Sequence, residues 1–190
     1  MVGRLIYLMG PSGAGKDSLL EAARERLLAS GCLITRRVIT RSAEAAGEDA
    51  VAVSCREFEK RLLSGCFAMH WQANGLAYGI ATEIDSWLAQ GRHVLVNGSR
   101  GYLGEARQRY PGLLPIVLEV APEVLRARLL SRGRESLDEI EARLARNARF
   151  VADGEGVARD NLIRLDNSGP LELTVTRLLQ LVDESRITTG

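Results

Sequence analysis

The sequence predicts an α/β fold in three layers, a mainly parallel sheet with helices on both faces. Short apolar runs alternate with amphipathic stretches of ten or more residues, a spacing that demands crossover connections between parallel strands. The first apolar run also ends in a glycine-rich turn that opens a helical pattern. The 190 residues, 46% hydrophobic and 26% charged, suffice for one domain with a sizeable core.

Residues 4–9 form a short apolar run, the signature of a buried parallel strand. Residues 16–29 place Leu19, Leu20, Ala23 and Leu27 at helical spacing, and Ser30 and Gly31 stop them. A second strand is expected over 33–40, a polar connection over 41–50 and an amphipathic helix over 55–64, ended by Gly65. Phe67, Trp71 and Tyr78 among glycines in 65–80 suggest a small lobe. Helices are then expected over 82–90 and 100–110, with strands over 93–96 and 114–120. Two further helices, 123–131 and 136–150, flank Gly133, and a strand over 162–165 and a helix over 170–183 close the chain. Core segments are thus expected at 1–40, 81–131 and 155–190, with a small lobe at about 41–80 and an arginine-rich segment at about 132–150.

The charge balance, 25 Lys plus Arg against 24 Asp plus Glu, creates no global field for nucleic acid or an anionic membrane. No apolar stretch approaches the roughly 20 residues that cross a bilayer, and the first is too short for a signal-peptide core. A cytoplasmic protein is expected. Cys32, Cys55 and Cys66 are an odd number without metal-site spacing, so reduced thiols are expected. His70 and His93 have no paired acid at recognisable spacing and read as structural.

Gly10, Pro11, Ser12, Gly13, Ala14, Gly15 and Lys16 match G-x-x-x-x-G-K, the P-loop core, in its proper place between a strand and a helix. Such a loop turns backbone N–H groups toward phosphate at a helix N-terminus, and the lysine reaches the β and γ phosphates of ATP. Lys16 is one of two lysines in the chain. The next position holds Asp17 where a Ser or Thr usually binds Mg²⁺, and Ser18 points about 100° away on the helix. Asp17 is a hard oxygen ligand favoured by the helix dipole, and the 93–97 strand ends in Asn97 rather than an acid. Asp17 is therefore expected to carry the metal, directly or through water. Seven arginines lie between Arg126 and Arg149, and of these Arg132, Arg134 and Arg143 are the candidates to close over polyphosphate.

The order of Gly10 to Asp17, Thr40-Arg41, Phe67, Tyr78-Gly79 and Arg132 to Arg143 resembles the guanylate kinases over most of the chain. That likeness implies a P-loop NTPase fold, an acceptor lobe, an arginine lid, and contacts from Arg41, Tyr78, Arg132 and Arg143 to the accepting phosphate. The guanine-reading acids are replaced, by Met69 and by Asn97-Gly98, and Glu44 stands where a second phosphate-binding arginine belongs. These departures, with the acidic P-loop end at Asp17 and Val96-Asn97-Gly98-Ser99-Arg100, resemble the ribose 1,5-bisphosphate phosphokinases of phosphonate catabolism. The resemblance implies ATP and Mg²⁺, the bisphosphate as acceptor, 5-phospho-α-D-ribose 1-diphosphate as product, and Asn97 and Arg100 near the ribose or its second phosphate. The alternatives are a nucleoside-monophosphate kinase, with Trp71 and Tyr78 stacking on a base, and a binding module without catalysis.

Overall fold

A computed structural model describes residues 2–41, 49–133, 135–153 and 162–187. The chain runs β1 (Leu5–Met9), α1 (Lys16–Ala29), β2 (Cys32–Ile34), β3 (Arg37–Thr40), β4 (Ala50–Val53), α2 (Cys55–Leu63), β5 (Phe67–Ala73) and β6 (Leu76–Ala81). It continues α3 (Glu83–Ala89), β7 (His93–Asn97), a 3-10 turn (Arg100–Tyr102), α4 (Leu103–Arg109), β8 (Leu114–Glu119), α5 (Pro122–Arg132), α6 (Leu137–Asp153), β9 (Ile163–Asp166) and α7 (Leu171–Ile187).

Five strands form a parallel sheet in the order β2-β7-β1-β8-β9. Its strands read as continuous apolar runs because both faces are covered, with successive side chains going to opposite sides. Ile6, Leu8, Leu95, Ile116 and Leu118 meet α1 and α7 on one face. Leu5, Tyr7, Val94 and Val96 meet α3, α4 and the second sheet on the other. Each fully buried aliphatic or aromatic side chain contributes roughly 1.5–3 kcal/mol. A third, small cluster of Leu125, Leu129 and Ile140 joins α5 to α6.

The second sheet has the order β4-β3-β6-β5. Its β5–β6 hairpin turns through Asn74 and Gly75, both at positive φ (51° and 74°), the geometry that an Asn-Gly pair favours. Two strand expectations need correction. The strand expected over 33–40 is two strands: the chain leaves the parallel sheet after Ile34, passes through Thr35 and Arg36, and enters the second sheet at Arg37. Between the polar connection and α2 lies β4, which was not expected, begins at Ala50 and pairs with β3 along its length. The helix expected over 100–110 divides into the 3-10 turn and α4. Elsewhere the expected elements stand with ends moved by a few residues.

Candidate active site

The loop after β1 owes its shape to glycine. Gly13 and Gly15 have φ of 91° and 92°, the left-handed region that disfavours any side chain. A Cβ on Gly15 would also stand 2.8 Å from Asn167 Nδ2. That close neighbour is a brace: Asn167 Nδ2 donates to Ala14 O at 2.7 Å, and its Oδ1 accepts from Thr174 Oγ1 at 2.9 Å. Arg128 Nη2 donates to the Asn167 carbonyl at 2.7 Å, so α5 and the segment after β9 both support the loop. The Lys16 ammonium folds back over the loop, donating to Gly10 O at 2.8 Å and Pro11 O at 3.0 Å. Asp17 follows at the start of α1, where Asn97 Nδ2, from the end of β7, donates to its Oδ1 at 3.1 Å.

The opposite wall is built on the second sheet and the end of β7. Trp71 and Tyr78, cross-strand partners on β5 and β6, stack with ring centres 5.6 Å apart and planes 3° apart. The Arg37 guanidinium lies 5.2 Å from the centre of the Tyr78 ring, a cation–π contact. Beneath the wall, Tyr7 is fully buried, donates to Ser99 O at 2.9 Å and accepts from Ser99 N at 3.0 Å. Burial pushes its phenol well above the ordinary tyrosine range, so it stays neutral. A Cβ on Gly98 would stand 2.1 Å from Tyr7 Cζ, which excludes any side chain there. Met69 is fully buried among apolar neighbours and lends the wall no polar group.

The third wall is α6. Its start is a capping box: Ser136 N and Oγ both donate to Glu139 Oε2, and Glu139 N donates back to Ser136 Oγ. These bonds, the backbone one first, hold the Glu139 carboxyl below its ordinary range. Arg143 pairs with Glu135 and donates from Nη1 to Ser12 Oγ, on the phosphate loop, at 2.7 Å. One turn on, Asn147 Oδ1 accepts from Arg100 Nη2 at 3.3 Å. Burial lowers the Arg100 guanidinium pKa below the usual arginine value.

These walls enclose a cleft of about 890 Å³. Of the expected residues, Gly10, Ser12, Gly13, Gly15, Lys16, Asp17, Ser18, Tyr78, Arg100, Arg132 and Arg143 line it. Ala14 is fully buried beneath the loop, and Pro11 faces a neighbouring apolar cavity. Asn97 is buried against Asp17, and Arg41 follows β3 without lining the cleft. Arg134 and Glu44 lie outside the described residues. Among the lining residues that sequence reasoning did not select are Arg37, Arg146 and Asn147. For Asn147 the available signal was its i+4 spacing from Arg143. Among the described lining residues the cations are Lys16, Arg37, Arg100, Arg132, Arg143 and Arg146, and the single carboxylate is Asp17.

A phosphate loop at the end of a central parallel strand, facing an arginine-bearing helix across a cationic cleft, defines a P-loop phosphotransferase with the guanylate kinase architecture. Guanylate kinase from Anaplasma phagocytophilum superposes with a TM-score of 0.71, at 20% identity over 96% of this chain and 86% of that one. A gluconokinase from Sinorhizobium meliloti gives 0.53, at 20% identity over 99% and 98%. No protein-family model matches the chain. Among curated proteins, ribose 1,5-bisphosphate phosphokinase PhnN of Pseudomonas paraeruginosa is 66% identical over 94% of this chain and 95% of its own length. PhnN of Azotobacter vinelandii is 62% identical over 96% and 97%, and PhnN of Desulfomicrobium baculatum 49% over 98% and 97%. The chain belongs to the PhnN family and is a kinase. No helix among the described residues is long and apolar enough to cross a membrane.

Proposed function

We propose that this chain transfers the γ-phosphoryl group of ATP to the 1-phosphate of α-D-ribose 1,5-bisphosphate, giving 5-phospho-α-D-ribose 1-diphosphate and ADP, as a cytoplasmic step of phosphonate breakdown. The observation that carries the reading is the cleft's charge: among the described lining residues stand six cations against one carboxylate, Asp17, with no further acid to read a base. A guanine edge presents N–H donors that require an acceptor, and neither the buried Met69 nor the side-chain-free Gly98 supplies one. A sugar carrying two phosphates presents acceptors alone at both ends and matches a wall of guanidinium groups.

The attacking oxygen of a phosphate monoester is already ionised near neutral pH, so no strong base is needed; catalysis is positioning and charge neutralisation. The backbone N–H groups of residues 12–16 and the Lys16 ammonium hold the β and γ phosphates of ATP. Arg143, reaching the loop at Ser12, and Arg132 stabilise the charge that spreads over the transferring phosphoryl group. As the 1-phosphate oxygen bonds to the γ-phosphorus, the bond to the β-γ bridging oxygen breaks and ADP leaves with the electron pair. The chemistry at Asp17 fits Mg²⁺: a carboxylate at the head of α1 lines the cleft, and beside it Asn97 Oδ1 is buried without a partner among the described residues. Asp17 would hold the ion, which would supply charge neutralisation to the phosphates of ATP.

The test is ADP release from ATP with Mg²⁺, offering ribose 1,5-bisphosphate, GMP, AMP and dTMP in parallel. Release with the sugar bisphosphate alone is expected, abolished by a chelator and restored by Mg²⁺. Release with a nucleotide alone would favour a nucleoside-monophosphate kinase, the reading that the parallel Trp71–Tyr78 stack supports, since a base could lie on it.

A further inference from the structure

Helix α6 turns one face to α5, where Ile140 and Leu144 pack on Leu125 and Leu129. The neighbouring face carries Arg143 and Asn147, four residues apart and therefore side by side along the helix. Each holds a buried donor with no acceptor among the described residues: Arg143 Nε and Asn147 Nδ2. A buried donor left unmet costs about 1–3 kcal/mol, so two on one helix face, both lining the cleft, are costly features unless a ligand brings the acceptors. The two residues serve different ends of the cleft. Arg143 bonds the phosphate loop through Ser12, whereas Asn147 bonds Arg100, which begins the turn after β7 on the acceptor wall.

We propose that Asn147 is a specificity-determining ligand of the acceptor's second phosphate. This rests on the sugar-bisphosphate reading above. Its Oδ1 orients the Arg100 guanidinium, and its Nδ2 donates to a phosphate oxygen held on that same guanidinium. An amide suits the place better than a carboxylate: Oδ1 fixes the arginine without adding a countercharge, and Nδ2 gives the anion a donor where a carboxylate would repel it. One helix thereby contacts the transferring phosphoryl group through Arg143 and the far phosphate of the acceptor through Asn147.

The experiment compares wild-type protein with Asn147→Asp and Asn147→Ala, using ribose 1,5-bisphosphate and, as an acceptor without the second phosphate, ribose 1-phosphate. Asn147→Asp is expected to raise the KM for the bisphosphate about tenfold or more, and Asn147→Ala by less, with the KM for ATP within twofold of wild type. With ribose 1-phosphate, a poorer acceptor throughout, kcat/KM should change less than about threefold, because the lost partner is absent from that substrate. An equal loss with both acceptors, a raised KM for ATP, or no change with the bisphosphate overturns the proposal while leaving the assigned reaction intact. Failure of the wild-type protein to use ribose 1,5-bisphosphate overturns the assigned reaction and this proposal together.

Discussion

The donor and acceptor sides of the cleft are built in opposite ways. On the proposed reaction, residues 10–18 supply the donor side in one unbroken stretch, shaped by its own glycines and the strand and helix it joins and braced by Asn167. The acceptor side gathers Arg37 from β3, Trp71 and Tyr78 from the β5–β6 hairpin, Arg100 from the turn after β7 and Asn147 from α6. Phosphate recognition by backbone amides is a local property of the chain, whereas recognition of the acceptor exists only once two sheets and a helix have packed. The same donor loop can therefore serve different acceptors, consistent with a shared fold between this chain and guanylate kinase at 20% identity.

This contrast is most sharply tested at Lys16. Lys16→Ala removes the ammonium from the donor loop and should lower kcat by about 10³ or more with whichever acceptor the enzyme uses, while acceptor binding, read by calorimetry, persists. Loss of acceptor binding in that variant would show that the two sides are not separable. Gly98→Ala tests the other wall. Its methyl group must displace the buried Tyr7 ring, at a cost of about 1–3 kcal/mol, and thermal melting should fall by several degrees, about 2–4 °C per kcal/mol at this size. The KM for the acceptor should rise with the KM for ATP unchanged. An unaltered melting temperature would mean that the wall yields freely.

The smallest effect concerns the lid helix. Because Glu139 has its pKa depressed in the folded chain, its capping contribution is fully present above the carboxyl's unfolded pKa and is lost as pH falls through the lower folded value. Hydrogen exchange at the first turn of α6, measured from neutral pH down to about pH 3 and corrected for intrinsic rates, should show that protection falling. Glu139→Gln should flatten the profile, and an equally steep one in that variant would assign the acid sensitivity elsewhere.

What could be read from the linear sequence follows the same division. The first strand, the loop and α1 were legible because each carries its own signal, an apolar run, a glycine pattern and a helical stripe. The passage from β2 to β3 was not: Thr35, Arg36 and Arg37 bring no glycine or proline to mark a break, and the change of sheet is a tertiary event. The short β4 lacks alternation, and its residues gain strand character from pairing with β3. Among site residues, Lys16 and Asp17 announced themselves by position in a motif. Arg37 is one arginine among many until Tyr78 is seen beneath it, and Asn147 is an unremarked helix residue until Arg100 reaches it. Arg143 was legible, whereas its ion-pair partner emerges only from the fold: Glu139, four residues before it, caps the helix, and Glu135 takes the ion pair.

The burial of Met69 and the contact of Gly98 with Tyr7 also bear on which acceptors the fold can come to read. The resemblance to the guanylate kinases implies acids where this chain has Met69 and Asn97-Gly98. Here a carboxylate at 69 would enter a sealed apolar interior shared by both sheets, and any side chain at 98 would collide with an aromatic ring. Placing an acid at either position would thus demand repacking of Tyr7 and its neighbours before the first useful contact formed. The hydrophobic interior therefore sets a threshold for changing acceptor: exchange of exposed cleft residues alone does not cross it.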